Sequence, residues 1–279
     1  MSGIRTVAVA GLGLIGGSLA RDLAARGVRV LGHDADGGAV DAGVVEGVLA
    51  AALGPGLEGV EDADALVLAV PVGAAPALLE RALPRLAGVR LVTDAGSTKA
   101  GIVAAARRLG VGATFVGAHP LAGDHRSGWG ASRRGLFAGA TIYLTPSPES
   151  AGEAVALARE LWASVDGRVV EIGVEEHDRR LAWTSHLPQV VSSALAAALA
   201  ERGIARADLG PGGRDVTRLA AGSPEMWRDI LAENAVPVSE ALAAVERCLA
   251  AARAALESGD AEAIEAWLAS ANGWGAKDA

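Results

Sequence analysis

The feature that most restricts the fold is an alternation of short apolar runs with longer alanine- and leucine-rich stretches through the first 173 residues. Runs such as IRTVAVA, ALVLAV and ATFVGA are apolar at nearly every position, as expected of strands buried on both faces. Helix-like stretches such as IGGSLARDLAARG separate them. This alternation is typical of a parallel sheet covered by helices on both faces. The predicted strands are 4–10, 28–34, 65–70, 90–95, 113–118, 140–145 and 168–173.

Beyond Gly173 the sequence changes character, because helical periodicity dominates and no further strand is predicted. Clusters of glycine and proline divide this second region into separate helices. We therefore predict an α/β domain over residues 1–173, with a Rossmann-like, doubly wound and mostly parallel sheet, followed by an all-helical domain over residues 174–279.

Composition and charge restrict what the chain can bind. The 279 residues are 51% hydrophobic and carry a formal net charge of -8, so a basic face for nucleic acid or a membrane surface is not expected. Cys248 is the one cysteine and has no partner for an internal disulfide, which favours a reducing compartment. The N-terminus lacks a signal-peptide pattern, and no apolar run reaches the roughly 18 residues of a membrane span. A cytoplasmic protein is therefore expected.

The segment GLGLIGGSLA follows the first predicted strand and begins the first helix. Gly11, Gly13 and Gly16 stand in the G-x-G-x-x-G spacing of dinucleotide sites. The first glycine permits a tight turn, the second lets the backbone approach a pyrophosphate, and the third lets helix and strand pack closely. Leu14 and Ile15 lie between them, where N–H groups of the helix N-terminus bind phosphate oxygens. The segment predicts a dinucleotide site, the alternative being a purely structural turn.

The second predicted strand ends in Asp34, about 20 residues after the glycine segment. A carboxylate at this position accepts hydrogen bonds from the hydroxyls of the adenosine ribose and repels a 2′-phosphate. No arginine follows it in HDADGG. The sequence therefore predicts NAD rather than NADP as the cofactor.

Polar segments follow the next three strands, and they should meet beside the cofactor because ligands bind at the carboxyl ends of parallel strands. In isolation, Ser97 is expected to cap the next helix and Lys99 to be solvated. His119 either is satisfied by the backbone or acts as the base that takes a hydroxyl proton while hydride leaves. Such a base would make the rate fall at acid pH, with one group titrating between about pH 5 and 8. The three segments are 69–74, 94–99 and 119–128.

The helical region adds a further histidine and several arginines. In SHLPQ a proline lies two residues after His186 within a helical run, which predicts a kink there. Arg214, Arg218 and Arg228 follow in GGRDVTRLAAGSPEMWRDI. Arginine binds carboxylates through paired hydrogen bonds, so these residues together indicate an anionic substrate, although any one arginine is most often a surface residue. No metal site is predicted.

Taken in order, these segments resemble the prephenate and arogenate dehydrogenases of tyrosine biosynthesis. The resemblance implies an oxidative decarboxylation, in which prephenate loses hydride from the ring carbon that bears its hydroxyl and then carbon dioxide as the ring becomes aromatic. The product would be 4-hydroxyphenylpyruvate, whereas arogenate would give tyrosine. It also implies a small-molecule substrate and a homodimer formed through the helical domain. The matching segments, over residues 5–234, are GLGLIGGSLA, the strand that ends at Asp34, DAGSTK, HPLAG with SGW, EEHDR, SHLPQ, GGRDVTR and SPEMWRDI.

The resemblance also implies a role for each site residue by its position in these motifs. His119 matches the catalytic histidine that hydrogen-bonds the ring hydroxyl. Ser97 matches a serine that orients this histidine or the hydroxyl, and His186 matches a second active-site histidine. Arg218 matches the arginine that binds a substrate carboxylate. His177, in EEHDR, matches a recurring position to which the sequence assigns no role.

The chain departs from the family pattern just after HPLAG. Asp124 and His125 stand where an acidic residue is expected at or near the second position, which leaves prephenate and arogenate both open as substrates. Asp124 is expected either to pair with the ammonium group of arogenate or to be a solvated loop residue. No regulatory domain is predicted after the helical one, so inhibition by tyrosine would act at the active site or the dimer interface.

Two other functions compete with this interpretation. A nonenzymatic NAD-sensing protein would be expected to have lost His119 or Arg218, and both are present. A β-hydroxyacid dehydrogenase would rely on a lysine in the helical domain, but from Val174 onward the sequence has Lys277 alone, in the tail.

Overall fold

The computed structural model describes residues 3–124 and 126–275. His125 and Lys277, which entered the sequence-based arguments, lie outside the described residues. Within the described ranges, no helix combines the length and apolar character needed to cross a bilayer.

An eight-stranded sheet forms the centre of the first region, in the order β3-β2-β1-β4-β5-β6-β7-β8. All seven predicted strands are present, and β3 is an additional strand of two residues, too short to show a pattern in the sequence. The pairs are parallel except β6 with β7, which run antiparallel, so the predicted mostly parallel sheet is confirmed. The strands are β1 (Thr6–Ala10), β2 (Arg29–His33), β3 (Ala51–Ala52), β4 (Ala65–Leu68), β5 (Leu91–Asp94), β6 (Phe115–Pro120), β7 (Thr141–Pro146) and β8 (Arg168–Glu171).

Helices cover both faces of this sheet, as the continuous apolar strands require. Leucines of α1 and α5 pack in one buried cluster, and those of α3 pack with Ile102 of α4 in another. The two clusters lie on opposite faces of strands whose side chains alternate between them, such as Val7 and Ala8 of β1. The helices of this region are α1 (Leu14–Ala25), α2 (Gly37–Val45), α3 (Ala75–Ala82), α4 (Ala100–Arg108) and α5 (Gly152–Ala163).

Strand ends place the polar segments at one edge of the sheet. In register, Ala10 of β1 pairs with His33 of β2 and with Leu68 of β4, which in turn pairs with Asp94 of β5. Strand β6 ends two residues later than predicted, because His119 pairs with Tyr143 and Pro120 with Ile142 of antiparallel β7. His119 is therefore held by a strand on the cofactor edge, rather than following that strand in a loop.

The second region is helical, as predicted. The predicted irregularity at SHLPQ takes the form of a π turn over Ala182–His186, and Pro188 falls in the first turn of the helix that follows, where a missing N–H does no harm. Single π turns occur frequently at functional sites. The helices are α6 (Val174–Leu181), α7 (Leu187–Glu201), α8 (Pro211–Val216), α9 (Pro224–Glu233), α10 (Ala235–Ser258) and α11 (Ala261–Gly275).

Candidate active site

The glycine segment forms a cradle at the start of α1. Gly11 has φ +95°, and a Cβ there would lie 2.2 Å from the carbonyl oxygen of Ala69. A Cβ on Gly16 would lie 1.8 Å from the carbonyl oxygen of Gly11, so the helix can pack on the loop only without a side chain there. A Cβ on Gly13 would meet no atom within 4 Å. The open space therefore lies in front of Gly13, where a pyrophosphate would approach.

The N-terminus of α1 faces this space without a protein cap. Gly13 is the N-cap residue, no side chain caps the helix, and its first turn, which begins with Leu14 and Ile15, has no acidic residue. Unpaired N–H groups and the helix dipole at such an end favour an anion. The cradle and this helix end fit the diphosphate of a dinucleotide.

Asp34 follows β2 directly and turns back to the glycine loop. Its Oδ2 accepts a hydrogen bond from the backbone N of Leu12 at 2.5 Å, and its Oδ1 accepts one from the backbone N of Asp36 at 2.8 Å. Within the described residues, Asp34 forms no ion pair with a lysine or arginine. A carboxylate fixed in this way keeps lone pairs for the hydroxyls of a ribose.

A cleft of about 390 Å³ lies between this edge of the sheet and the helical region. Ser97, His119 and His186 all line it, so the structure brings together three predicted site residues from three distant segments. Trp227 of α9 also lines the cleft, with its ring edge-to-face against His186 at a centroid distance of 6.0 Å. Trp227 was not assigned from the sequence, although the matching motif SPEMWRDI contains it.

His119 is almost completely buried at the end of β6. Its Nδ1 lies 2.9 Å from Nε2 of His177, and the two rings meet edge-to-face. Burial lowers the pKa of His119 well below 6.5, and the nearby His177, Lys99 and His186 lower that pKa further. The imidazole is therefore neutral at neutral pH, as a base must be.

His177 and Asp178, on α6, connect His119 to the start of α4. The Nδ1 of His177 lies 2.7 Å from Oδ1 of Asp178. The Asp178 carboxylate also accepts hydrogen bonds from the backbone N atoms of Lys99 and Ala100, each at 2.9 Å. Burial raises the pKa of Asp178, but the hydrogen bond with His177 and those from the backbone outweigh it, so the pKa is lowered.

The expectations for Ser97 and Lys99 in isolation are wrong. The N–H groups at the start of α4 donate to Asp178, and Ser97 lines the cleft instead of capping the helix. Lys99 is completely buried, and its Nζ pairs with Asp94 and donates to the carbonyl oxygen of Ala118 at 2.7 Å. Asp94 lies in the same segment as Lys99, but Ala118 and Asp178 come from other segments, so DAGSTK and EEHDR do not by themselves indicate these contacts.

His186, at the end of the π turn, is held by Asn234. The side-chain Nδ2 of Asn234 lies 2.8 Å from the carbonyl oxygen of Asp178 and 3.0 Å from Nδ1 of His186. A carbonyl only accepts, so the nearby amide atom is the nitrogen, and Nδ1 of His186 must be the acceptor. The proton of the neutral ring then lies on Nε2, which is buried and has no partner within the described structure. Burial lowers the pKa of His186 to about 4.

Arg218 and Asp124 lie apart from these groups. Arg218 begins the short helical segment Arg218–Ala221, is exposed, and is not among the described residues that line the cleft. Asp124 is occupied by two guanidinium groups, with Oδ2 2.6 Å from Nη2 of Arg126 and 3.0 Å from Nη1 of Arg133. It is therefore an ion-paired loop residue, and these arginines would compete with an ammonium group for its carboxylate.

Family models match nearly all of the chain. Residues 19–171 match the model for the prephenate dehydrogenase nucleotide-binding domain. Residues 173–270 match the model for the prephenate dehydrogenase dimerization domain. The first match begins just after the glycine loop, so the geometry of that loop is an independent observation.

Curated proteins and solved structures point the same way. A prephenate dehydrogenase of Bacillus subtilis is 36% identical over 241 residues, which cover 82% of this chain and 64% of the relative, a little under two thirds of its length. A cyclohexadienyl dehydrogenase of Zymomonas mobilis is 32% identical over 248 residues, or 84% of this chain and 83% of that protein. The A. aeolicus prephenate dehydrogenase, solved with hydroxyphenyl propionate and NAD+, has a TM-score of 0.88 at 30% identity over 96% of each chain. Synechocystis arogenate dehydrogenase has a TM-score of 0.84 at 28% identity over 98% of this chain and 100% of that one.

Proposed function

This chain belongs to the prephenate dehydrogenase family, and on that premise we propose that it catalyses the NAD-dependent oxidative decarboxylation of prephenate to 4-hydroxyphenylpyruvate. The reaction removes a proton from the ring hydroxyl and a hydride from the carbon that bears it, and carbon dioxide leaves as the ring becomes aromatic. One observation carries the proposal: Ser97, His119 and His186 line a single cleft at the cofactor edge of the sheet.

His119 is the proposed base. Its neutral ring, with Nδ1 engaged by His177, offers Nε2 to the hydroxyl proton of the substrate. Loss of carbon dioxide turns the ring oxygen into that of a phenol, which needs a proton, and the imidazolium can return the one it took. The reaction then consumes and releases no net proton through His119.

His186 and Ser97 are the proposed partners of the same oxygen. The unpartnered Nε2–H of His186 is a hydrogen-bond donor fixed at the cleft wall, and the Ser97 hydroxyl, which lines the same cleft, is a second donor. A preorganised donor stabilises the charge that develops on the oxygen when the base removes its proton. Of the two neutral histidines, His119 is therefore the base and His186 the hydrogen-bond donor.

The glycine loop and Asp34 are the proposed NAD site. The backbone at Gly11, Gly13, Leu14, Ile15 and Gly16 would hold the diphosphate, and the Asp34 carboxylate would bind the ribose hydroxyls. NAD, when bound, supplies the hydride acceptor. The Asp34 carboxylate favours NAD over NADP, because its negative charge would repel the 2′-phosphate of NADP.

The substrate carboxylates need a cation that the described lining of the cleft does not contain, since no lysine or arginine belongs to it. Arg218, whose side chain is exposed, remains the proposed ligand for a carboxylate. We propose a homodimer, because Leu195, Leu249 and Leu268 leave apolar surface exposed on α7, α10 and α11 of a single chain.

The test is NADH or NADPH formation with prephenate and with arogenate, each supplied with NAD and with NADP. We expect the highest kcat/KM with prephenate and NAD. A higher value with arogenate would move the assignment to arogenate dehydrogenase, a relative in structure. No turnover of either substrate would favour the NAD-sensing alternative.

His119→Ala is expected to lower kcat by about 10²- to 10⁴-fold, the usual contribution of a general base, with little change in KM. Glu80→Gln, an exposed residue of α3, is the matched control and should leave both constants unchanged. An unaltered kcat in His119→Ala would remove this residue from the mechanism.

A further inference from the structure

A continuous line of hydrogen-bonding atoms runs from the cleft to the start of α4. It passes from Nδ1 of His119 to Nε2 of His177 at 2.9 Å, and from Nδ1 of His177 to Oδ1 of Asp178 at 2.7 Å. All three side chains are buried, so water does not replace any of these partners. No role was assigned to His177 or Asp178 from the sequence.

The Asp178 carboxylate fixes which atom donates and which accepts in each of these hydrogen bonds. It accepts from the backbone N atoms of Lys99 and Ala100 at the positive end of α4, which holds it ionised and in one orientation. An ionised carboxylate only accepts, so the proton between it and His177 belongs to Nδ1 of that ring. A neutral His177 then has a lone pair on Nε2, and the proton between the two rings must lie on Nδ1 of His119.

We propose that Asp178, acting through His177, holds His119 in the tautomer that carries its proton on Nδ1 and presents an unprotonated Nε2 to the substrate. His177 and Asp178 are positioning residues for the base rather than groups that touch the substrate. This inference rests on the proposed function for its kinetic consequence, but the tautomer itself is a property of the protein without substrate.

The opposite tautomer is opposed by the same contacts. If Nε2 of His119 were protonated, its Nδ1 lone pair would face His177, and Nδ1 of His177 would present a lone pair to the carboxylate at 2.7 Å. The second histidine of the cleft shows the complementary case, because Asn234 donates to Nδ1 of His186 and leaves the proton on its Nε2. One histidine is thus set as acceptor and the other as donor by buried groups behind them.

Two substitutions test the proposal. An Asp178→Asn amide nitrogen can donate to Nδ1 of His177 and so permits the reversed tautomer, although it then gives up the hydrogen bond that the same atom of Asp178 accepts from the backbone N of Lys99. His177→Leu removes the link and keeps the carboxylate at the start of α4. We expect kcat to fall in Asp178→Asn by up to about 10⁴-fold, the loss that follows when a catalytic histidine is left in the wrong tautomer, with KM changed less than about threefold. Glu176→Gln, on the same helix but paired at the surface with Arg179 and Arg180, is the control and should keep full activity.

The deciding measurement is ¹⁵N NMR of the protein labelled at its five histidines, because the ¹⁵N shift separates protonated from unprotonated ring nitrogens. In the unsubstituted protein and in Glu176→Gln, His119 should show protonated Nδ1 and unprotonated Nε2. Asp178→Asn should reverse this assignment, and His177→Leu should give a mixture. The His119 signal is identified by its loss in His119→Gln.

The outcomes separate this proposal from the proposed function. An unchanged His119 tautomer in both folded variants overturns it, even if kcat falls, because the loss would then reflect structure alone. A reversed tautomer with full turnover overturns its role in the reaction. If the unsubstituted protein does not oxidise prephenate, the proposed function fails, while the NMR result still decides the tautomer. Should Asp178→Asn not fold without its helix-capping carboxylate, His177→Leu supplies the same test.

Discussion

Lowering the pH tests whether the two histidines of the cleft are as buried as the structure places them. Burial lowers the pKa of His119 well below 6.5 and lowers that of His186 to about 4. A base with an ordinary histidine pKa would be only about 3% neutral at pH 5. His186, whose pKa is lowered to about 4, would still be about 90% neutral there.

We therefore expect kcat/KM to stay nearly constant from pH 8 through pH 6.5 and to fall only at a pH well below 6.5, where the buried His119 ring is finally protonated. This differs from the expectation from sequence, which placed the loss of rate between about pH 5 and 8 because it assumed an ordinary histidine. The physical reason is that burial disfavours the charged ring, so more acid is needed to protonate it.

The assay is the initial rate of NADH formation at low prephenate, since kcat/KM reports the protonation of the free enzyme. Stability must be checked separately, because a buried histidine with a lowered pKa binds fewer protons when folded than when unfolded. The protein therefore loses stability as the pH falls from 6.5 toward the folded pKa. Each sample is incubated at the acid pH and reassayed at neutral pH. A reversible fall centred near pH 6.5 would refute the reasoning.

Three further outcomes are expected. Gly13→Ala places a methyl group in open space, so it should leave the Tm unchanged and weaken NAD binding. Gly16→Ala places a Cβ 1.8 Å from the carbonyl oxygen of Gly11, so it should lower the Tm itself. Equal Tm values for the two variants would contradict this reasoning. Arg218→Ala should raise the KM for prephenate by about 10- to 150-fold, from about 1.5–3 kcal/mol of charged hydrogen bonding, and a normal KM with poor turnover would exclude the role. Lys99→Met leaves the buried Asp94 carboxylate unpaired, so the free energy of unfolding measured in urea should fall by about 3–5 kcal/mol. A fall of less than about 1 kcal/mol would mean that the ion pair is dispensable for stability.

Local patterns accounted for most of the fold. Strands β4 and β5 are buried at every residue and therefore read as continuous apolar runs in the sequence. Strand β3 has two residues and leaves no such run. The end of β6 was misplaced because β7 is antiparallel to it, and those pairings of His119 and Pro120 come from residues more than 20 positions away.

In the candidate site, too, the sequence predicted some residues correctly and others wrongly. Gly11, Gly16 and Asp34 were predicted from spacing, and the structure gives each glycine a steric reason to lack a side chain. His119 was identified by its place at a strand end beside the cofactor edge. Lys99 was wrongly expected to be solvated. Its partner Asp94 is five residues away, but the burial of its amine also requires β6, where Ala118 accepts its hydrogen bond, and the local sequence does not indicate that contact.

By itself the sequence determined the layered architecture, the turn that fits a diphosphate and the presence of histidines near the cofactor, because each depends on residues close together in the chain. Only the tertiary structure decided what those histidines can do. Asp178 and Asn234 reach His177 and His186 through folding, and burial then decides that both rings of the cleft are neutral. Protonation and hydrogen-bond direction depend on distance in space, and this is the quantity that a linear pattern does not contain.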